Sequence, residues 1–390
     1  MTNILFINYH DFTSNSAIQI HTFANHLVKS GHDCIVAVPS RKDTVYQAIR
    51  GDVLYSPREF SELLTAGTLF LNKRGPDIIH AWTPREIVRE VCVRLLDRYA
   101  CKLIVHLEDN EEQILMNRLQ RTMQELYSCS EEELSTMIPG NLSHPHFYRE
   151  FLSKADGITL IIERLAEFVP ESIPNMVLWP GIDRARFRPG QCDTNLRYAL
   201  GLDEDVVVLC YTGNVHYSNW EEVRSLYCAV ALLNLEGIPT RLLRTGVDHV
   251  QFLGDDLAWA QEYSIEIGFV PHDMIPQLLN IADILVQPGR ADEYNAYRLP
   301  SKLPEFFWMR KPVILPKVNI GLLVTDGREA LLLHEGGARE IVEKVRMILT
   351  DPQLAEELSY HAGIFAEQSF DAEKNTEKLE SFYRAVLNGA

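Results

Sequence analysis

The stretch Asn3-Ile4-Leu5-Phe6-Ile7-Asn8, followed after a helix-spaced run by Cys34-Ile35-Val36-Ala37-Val38, decides the fold of the first half of this chain. Residues 3–8 are almost wholly apolar, as a strand buried on both faces of a parallel sheet requires. From Ser16 onward, Ile18, Ile20, Phe23, Ala24, Leu27 and Val28 recur at helical spacing, and Gly31 stops the helix before the second strand. The result is one βαβ unit. Short apolar runs at 77–80, 102–106 and 157–162, separated by helix-length segments, extend it into a doubly wound sheet.

The same pattern starts again further on. Pro180-Gly181-Ile-Asp-Arg-Ala-Arg-Phe-Arg-Pro189-Gly190 has Pro and Gly at both ends and reads as an interdomain connection. Beyond it come a strand at 206–211, a loop at 212–218, a helix at 220–236 closed by Gly237, and strands at 240–244, 265–269, 283–287, 313–315 and 330–333. The fold class is therefore α/β, with two Rossmann-like doubly wound parallel-sheet domains facing an interdomain cleft. The expected parts are an N-terminal domain at 1–187, a C-terminal domain at 188–365, and a final helical segment, 366–390, crossing back to the first domain. The polar stretch 107–155 carries Ile114, Leu115, Leu119, Met123 and Leu126 on one face and is longer than a plain crossover needs. It reads either as a helical pair packed on the sheet or as an acceptor-recognition insert.

A length of 390 residues, at about 150 per domain, agrees with two domains. Lys and Arg total 37 against 54 Asp and Glu, a formal charge of −17 that argues against binding a nucleic-acid backbone and makes any phosphate site local. No apolar run approaches the roughly 20 residues that span a bilayer, and the N-terminus lacks the basic region of a signal peptide. The expected location is cytoplasmic, with a peripheral membrane contact left open for a lipid-linked substrate. Seven cysteines without a CxxC pair read as reduced thiols, and no ligand cluster supports a metal. GxGxxG, GxxxxGK[ST] and GxSxG are all missing, which removes the easy signatures of a nicotinamide dehydrogenase, a P-loop protein and a hydrolase.

Several motifs in order resemble the retaining glycosyltransferases of family four, which have the GT-B fold. Ser16-Ala17-Ile-Gln19 before a helix and Gly31-His32-Asp33 after it look like the family's first loop and turn. Asp77-Ile-Ile-His80-Ala81 and Pro180-Gly181-Ile-Asp183, with Phe187 and Pro189, resemble its DxIHAH strand and its linker. Thr212-Gly213-Asn214, Gly268-Phe-Val270, the 282–288 run and Pro300-Ser-Lys302-Leu-Pro-Glu305 resemble the donor domain, with Lys311-Pro312-Val313 following. The resemblance implies transfer of a sugar from a nucleotide diphosphate-sugar (UDP-, GDP- or ADP-linked) to an acceptor, with retention, with no cofactor and no metal. The acceptor is a sugar, lipid-linked or small molecule that the sequence leaves unknown.

Under that resemblance Gly213, Asn214, Arg298, Ser301 and Lys302 hold the donor diphosphate, and Ser16 and Ala17 form a first-domain loop. Pro300 and Ser301 suit a helix start whose free N–H groups and dipole face phosphate, with Arg298 and Lys302 adding charge beside it. Glu305 accepts from the ribose hydroxyls. Leu303 belongs to the nucleoside subsite, where Phe269 and Val270 border the base through backbone groups; a core role for Phe269 stays open. His106 resembles the first-domain histidine that faces the donor sugar. The family's first glutamate, eight positions before Glu305, is Tyr297 here, so Glu293 or Asp292 is the candidate replacement. Its Arg and Lys after Gly213 are absent, with His216-Tyr-Ser-Asn219-Trp220 in their place. These departures keep open an epimerase or hydrolase of the same plan, or a noncatalytic nucleotide- or protein-binding relative.

Overall fold

The computed structural model describes residues 1–49 and 51–389. They divide into two compact units, Met1–Gly181 with Asp371–Ala390, and Ile182–Phe370. The division falls after residue 181 rather than 187, and the last helix, Ala372–Asn388, is part of the first unit.

In the first unit, strands β1 (Asn3–Asn8), β2 (Asp33–Val38), β3 (Ser56–Glu59), β4 (Ile78–Trp82), β5 (Lys102–Leu107), β6 (Gly157–Leu160) and β7 (Asn175–Val177) form one parallel sheet in the order β3-β2-β1-β4-β5-β6-β7. The sequence reading missed the two edge strands. Ser56-Pro57-Arg58-Glu59 is polar and half-buried, and proline is tolerated there because an edge strand need not donate on its outer side. On one face, Phe6, Phe23, Leu27, Ile78 and Trp82 pack with Leu379 and Tyr383 of the last helix. The 107–155 stretch is more than a helical pair. It holds the helices Glu111–Leu119, Met123–Tyr127, Glu131–Met137 and Phe147–Ser153, and Leu115, Leu126, Leu134, Ile138 and Leu142 close a small core of their own. Reciprocal capping by Thr122 with Glu125 and Ser130 with Glu133 starts separate short helices where continuous periodicity alone would read one.

In the second unit, β8 (Val207–Thr212), β9 (Thr240–Thr245), β10 (Ser264–Gly268), β11 (Ile284–Val286), β12 (Val313–Pro316) and β13 (Leu331–Leu333) form a parallel sheet ordered β10-β9-β8-β11-β12-β13. The helices Trp220–Leu235 and Ala338–Thr350 bury Val223, Leu226, Val230, Ile341 and Val345 against Leu209, Leu242, Ile284 and Ile314. Each such side chain contributes about 1.5–3 kcal/mol on burial. That margin lets the carboxyl edge of the sheet carry charges that cost stability.

In both sheets the first strand is internal and later strands add on either side. The order reverses between β1 and β4, and between β8 and β11. In open parallel sheets the crevice for a ligand opens at the carboxyl ends of the strands at such reversals. Among the described residues no helix is long and apolar enough to cross a membrane.

Candidate functional site

At the reversal in the second unit, β8 ends at Thr212 and the chain turns at Gly213 with φ of +149°. A Cβ at this position would lie 2.8 Å from Lys302 Nζ. The missing side chain is thus the space into which that amine reaches, from the short helix Lys302–Trp308 beyond β11. The loops after β8 and β9 also pass backbone to backbone: at Gly246, φ +107°, a Cβ would be 2.3 Å from the Gly213 carbonyl oxygen. Val215 N–H donates to Val247 O (3.0 Å) and His249 N–H to Val215 O (2.9 Å). Asn214 Oδ1 accepts from Val247 N–H at 2.8 Å. The Asn214 side-chain oxygen therefore ties two loops together.

Arg298 and Lys302 bring two positive groups together here, in a chain of formal charge −17. Lys302 Nζ is 4.2 Å from the ring centre of Tyr211, itself buried on β8. Burial, and then the Arg298 guanidinium, push the Lys302 amine down to about 7, with Glu305 and Glu222 pulling the other way. The Arg298 guanidinium lies 4.7 Å from the ring centre of Tyr294. His216 stacks on His249, ring centres 4.6 Å apart and planes 8° from parallel. Burial lowers the His216 pKa, and His249, Arg298 and Lys302 lower it further. A preorganised cluster of this sign suits an anion and stabilises negative charge developing on it. Neither histidine was a sequence candidate, because the His216–Asn219 run reads only as the absence of the expected Arg and Lys.

Ser301 precedes the helix with helical backbone angles (φ −57°, ψ −21°), and its side chain does not cap it. Leu303 is wholly buried, so its side chain is part of the core and only its backbone is left for a nucleoside. Phe269, after β10, is 79% exposed, which excludes the core alternative. Val270 beside it is half-buried. Glu305 Oε1 lies 2.6 Å from His272 Nε2, and His272 Nδ1 lies 2.9 Å from Arg186 Nη1.

The candidates for the missing first glutamate are placed differently from each other. Glu293 is exposed at the start of the helix Glu293–Ala296. Asp292 caps that helix, accepting from Asn295 N–H at 2.9 Å, and pairs with Arg290 at 2.7 Å. Tyr297 is buried. Glu222, which the sequence reading passed over, accepts from Asn295 Nδ2 at 2.6 Å and has its pKa raised by burial, against the Asn295 hydrogen bond and the Arg298 charge. Two acids in the first turn of a helix read as ordinary complements to its dipole, so nothing in the sequence singles it out.

At the reversal in the first unit, His106 proves to be a core residue. It is fully buried, its ring centre is 4.1 Å from that of Trp82, and its Nδ1 is 2.8 Å from Thr159 Oγ. Burial, and then His80, hold its pKa well below the ordinary value, so it is neutral. The half-buried group at this strand end is Glu108, which accepts from Ser16 Oγ at 2.6 Å and from Trp82 Nε1 at 2.7 Å. Burial pushes its carboxyl up to about 7, and Asp109 adds to the rise. Ser16 and Ala17 are in the first turn of the helix Asn15–Lys29 rather than in a loop, so Ser16 joins that helix start to the end of β5, while Ala17 is buried and donates its N–H to Ser14 Oγ at 3.2 Å. The signal for Glu108 was present as an acidic pair directly after the apolar strand at 102–107.

Residues 206–351 match the family described as glycosyl transferases group 1. An alpha-D-kanosaminyltransferase of Streptomyces kanamyceticus is 25% identical over 120 residues, 30% of each chain. A D-inositol 3-phosphate glycosyltransferase of Rhodococcus erythropolis is 24% identical over 222 residues, 54% of this chain and 49% of that one. The chain therefore spans half or less of the length of these curated relatives. An Anabaena protein, HepE, solved in complex with UDP and glucose, superposes with a TM-score of 0.72 over 99% of this chain and 100% of its own, at 15% identity, which establishes a shared fold. Residues 206–351 of the second unit are thus similar to the group 1 glycosyltransferases, and the chain has the two-sheet GT-B fold.

Proposed function

We propose that this protein transfers a sugar from a nucleotide diphosphate-sugar to an acceptor, and that the second unit binds the donor with its diphosphate at Gly213, Arg298 and Lys302. The observation that carries the reading is the Lys302 amine lodged beside Gly213, over Tyr211, where burial and Arg298 act against its charge more than Glu305 and Glu222 support it. A diphosphate supplies the missing counter-charge. The curated relatives are named as glycosyltransferases, and the Anabaena structure was solved with UDP and glucose, which agrees with this class of donor.

In the step itself the bond between the anomeric carbon and the diphosphate oxygen breaks, and its electron pair leaves on that oxygen. Lys302 and Arg298 stabilise the growing charge, as fixed dipoles and cations do for any developing oxyanion. An acceptor hydroxyl oxygen bonds to the anomeric carbon, and its proton passes to the departing phosphate on the same face, giving retention without a dedicated side-chain base or a metal. A panel of UDP-, GDP- and ADP-sugars tests the reading. One of them raises the melting temperature of the wild type and supports transfer with retained anomeric configuration by NMR of the product. Failure of every donor to shift the wild type, with Lys302→Ala changing nothing, refutes it.

A further inference from the structure

Glu305 is held by an arrangement that donor binding alone does not demand. Its side chain is 13% exposed, and Oε1 is 2.6 Å from Nε2 of His272, which sits in the one-turn helix His272–Met274 after β10. On the other side of the imidazole, Arg186 Nη1 is 2.9 Å from Nδ1. An arginine at ordinary pH is only a donor, so Nδ1 must be the accepting nitrogen. The ring proton is therefore on Nε2, and it is donated to Glu305. The tautomer follows from the chemistry of the partners. Phe187, itself buried, packs its ring 5.4 Å from the imidazole centre at 58° and limits rotation.

We infer that His272, with its tautomer fixed by Arg186, is a positioning residue that commits one oxygen of Glu305 and aims the other at the hydroxyls of the donor ribose. The inference rests on the donor reading above. A ribose diol offers two O–H donors, and a carboxylate with one oxygen already engaged presents its second in a fixed direction, so little rotamer entropy is lost when the diol binds. Phe269, exposed three residues before His272, places an aromatic face on the same loop. One loop thus serves the nucleoside twice, through a ring and through a hydrogen bond to Glu305. Nothing in the sequence marks His272 for this, since Gly268-Phe-Val-Pro-His272 reads as a strand end and a turn.

Isothermal titration with UDP, GDP and ADP and with their 2′-deoxy counterparts, on the full chain, reads the effect directly. The wild type prefers the ribonucleotide by about tenfold or more, since a site built around a hydroxyl discriminates against its loss. His272→Phe keeps the ring and removes the donor. It brings the preference to within about twofold while 2′-deoxynucleotide binding stays close to wild type, and His272→Gln, with an amide donor and acceptor, restores the preference. Equal loss of both nucleotides in His272→Phe, or an unchanged preference, overturns the inference and leaves the donor reading intact. Absence of any nucleotide binding by the wild type overturns both. Nitrogen-15 NMR of the wild-type imidazole, which needs no variant, gives the neutral Nε2–H pattern; an Nδ1–H tautomer overturns the inference by itself.

Discussion

Lys302 Nζ stands 4.2 Å above the centre of the Tyr211 ring, in the space that a side chain at Gly213 would fill. The contact with the ring contributes about 0.5–2 kcal/mol. That is less than the cost of keeping an ammonium from water beside the Arg298 guanidinium, which is why the amine gives up its proton near pH 7. A site of this kind is destabilised in its own fold, and its titration is measurable.

Lys302→Met should stabilise the protein and abolish its binding of nucleoside diphosphates. The folded value, about 7, lies below the ordinary 10.5, so the unfolded chain binds more protons between those values. Wild-type stability therefore rises with pH across that window, and the full cost of the charge is present below pH 7. Urea unfolding at pH 6.5 should place the variant about 1–2 kcal/mol above wild type, the amount expected from removing an uncompensated buried charge after allowance for partial exposure. At pH 10 the gap closes. A variant less stable than wild type at pH 6.5 contradicts this account.

Binding of UDP or GDP should take up a proton. A bound diphosphate returns the Lys302 value toward its ordinary range, so between about pH 7 and 10 the complex holds one proton more than the free protein. Titration calorimetry at pH 8.5, in two buffers of different ionisation enthalpy, should give an uptake approaching one proton, and affinity should fall as pH rises. The same titration at pH 5.5, where Lys302 is already charged, should lose that part of the uptake.

Glu108→Gln should be tolerated by the fold and should change the pH dependence of stability in the opposite sense to Lys302→Met. The Glu108 carboxyl is pushed up to about 7 from 4.5, so the folded chain binds more protons in that interval and the wild type loses stability as pH rises through it. An amide keeps both local contacts, accepting from Trp82 Nε1 and donating to Ser16 Oγ. Thermal unfolding should find the variant equal to wild type near pH 4.5 and more stable by about 1 kcal/mol at pH 8, discounted for partial exposure. A deficit at pH 8 would mean that the charged form is the one the fold favours.

Phe269→Ala should leave the melting temperature within about 1 °C of wild type, since the ring is 79% exposed and packs little. Nucleotide binding should weaken by about 1–2 kcal/mol, the scale of stacking between a base and an aromatic side chain. A normal affinity in this variant removes the ring from the nucleoside subsite and leaves the backbone of that loop as the contact.

Much of the fold was legible in the chain itself. Apolar runs such as 3–8, 102–107 and 207–212 are buried on both faces of parallel sheets, and a strand of that kind carries its own signature in consecutive residues. The edge strands Ser56–Glu59 and Asn175–Val177 were not legible, because an edge needs neither two apolar faces nor a full set of donors. The separate helices in 107–155 were missed because capping by Thr122 and Ser130 overrides a continuous apolar periodicity.

The sequence by itself determined which residues lie at strand ends, and so that Gly213, Arg298, Lys302 and Glu305 belong to the carboxyl edge of one sheet. Only the tertiary structure decided what surrounds them. The amine of Lys302 over Tyr211, the His216–His249 stack, Glu222 beside Asn295, and the Arg186–His272–Glu305 chain join residues from 33 to 119 positions apart. Burial and the field of distant charges set protonation and hydrogen-bond direction, and both depend on the distance through space that folding creates, which spacing along the chain does not encode.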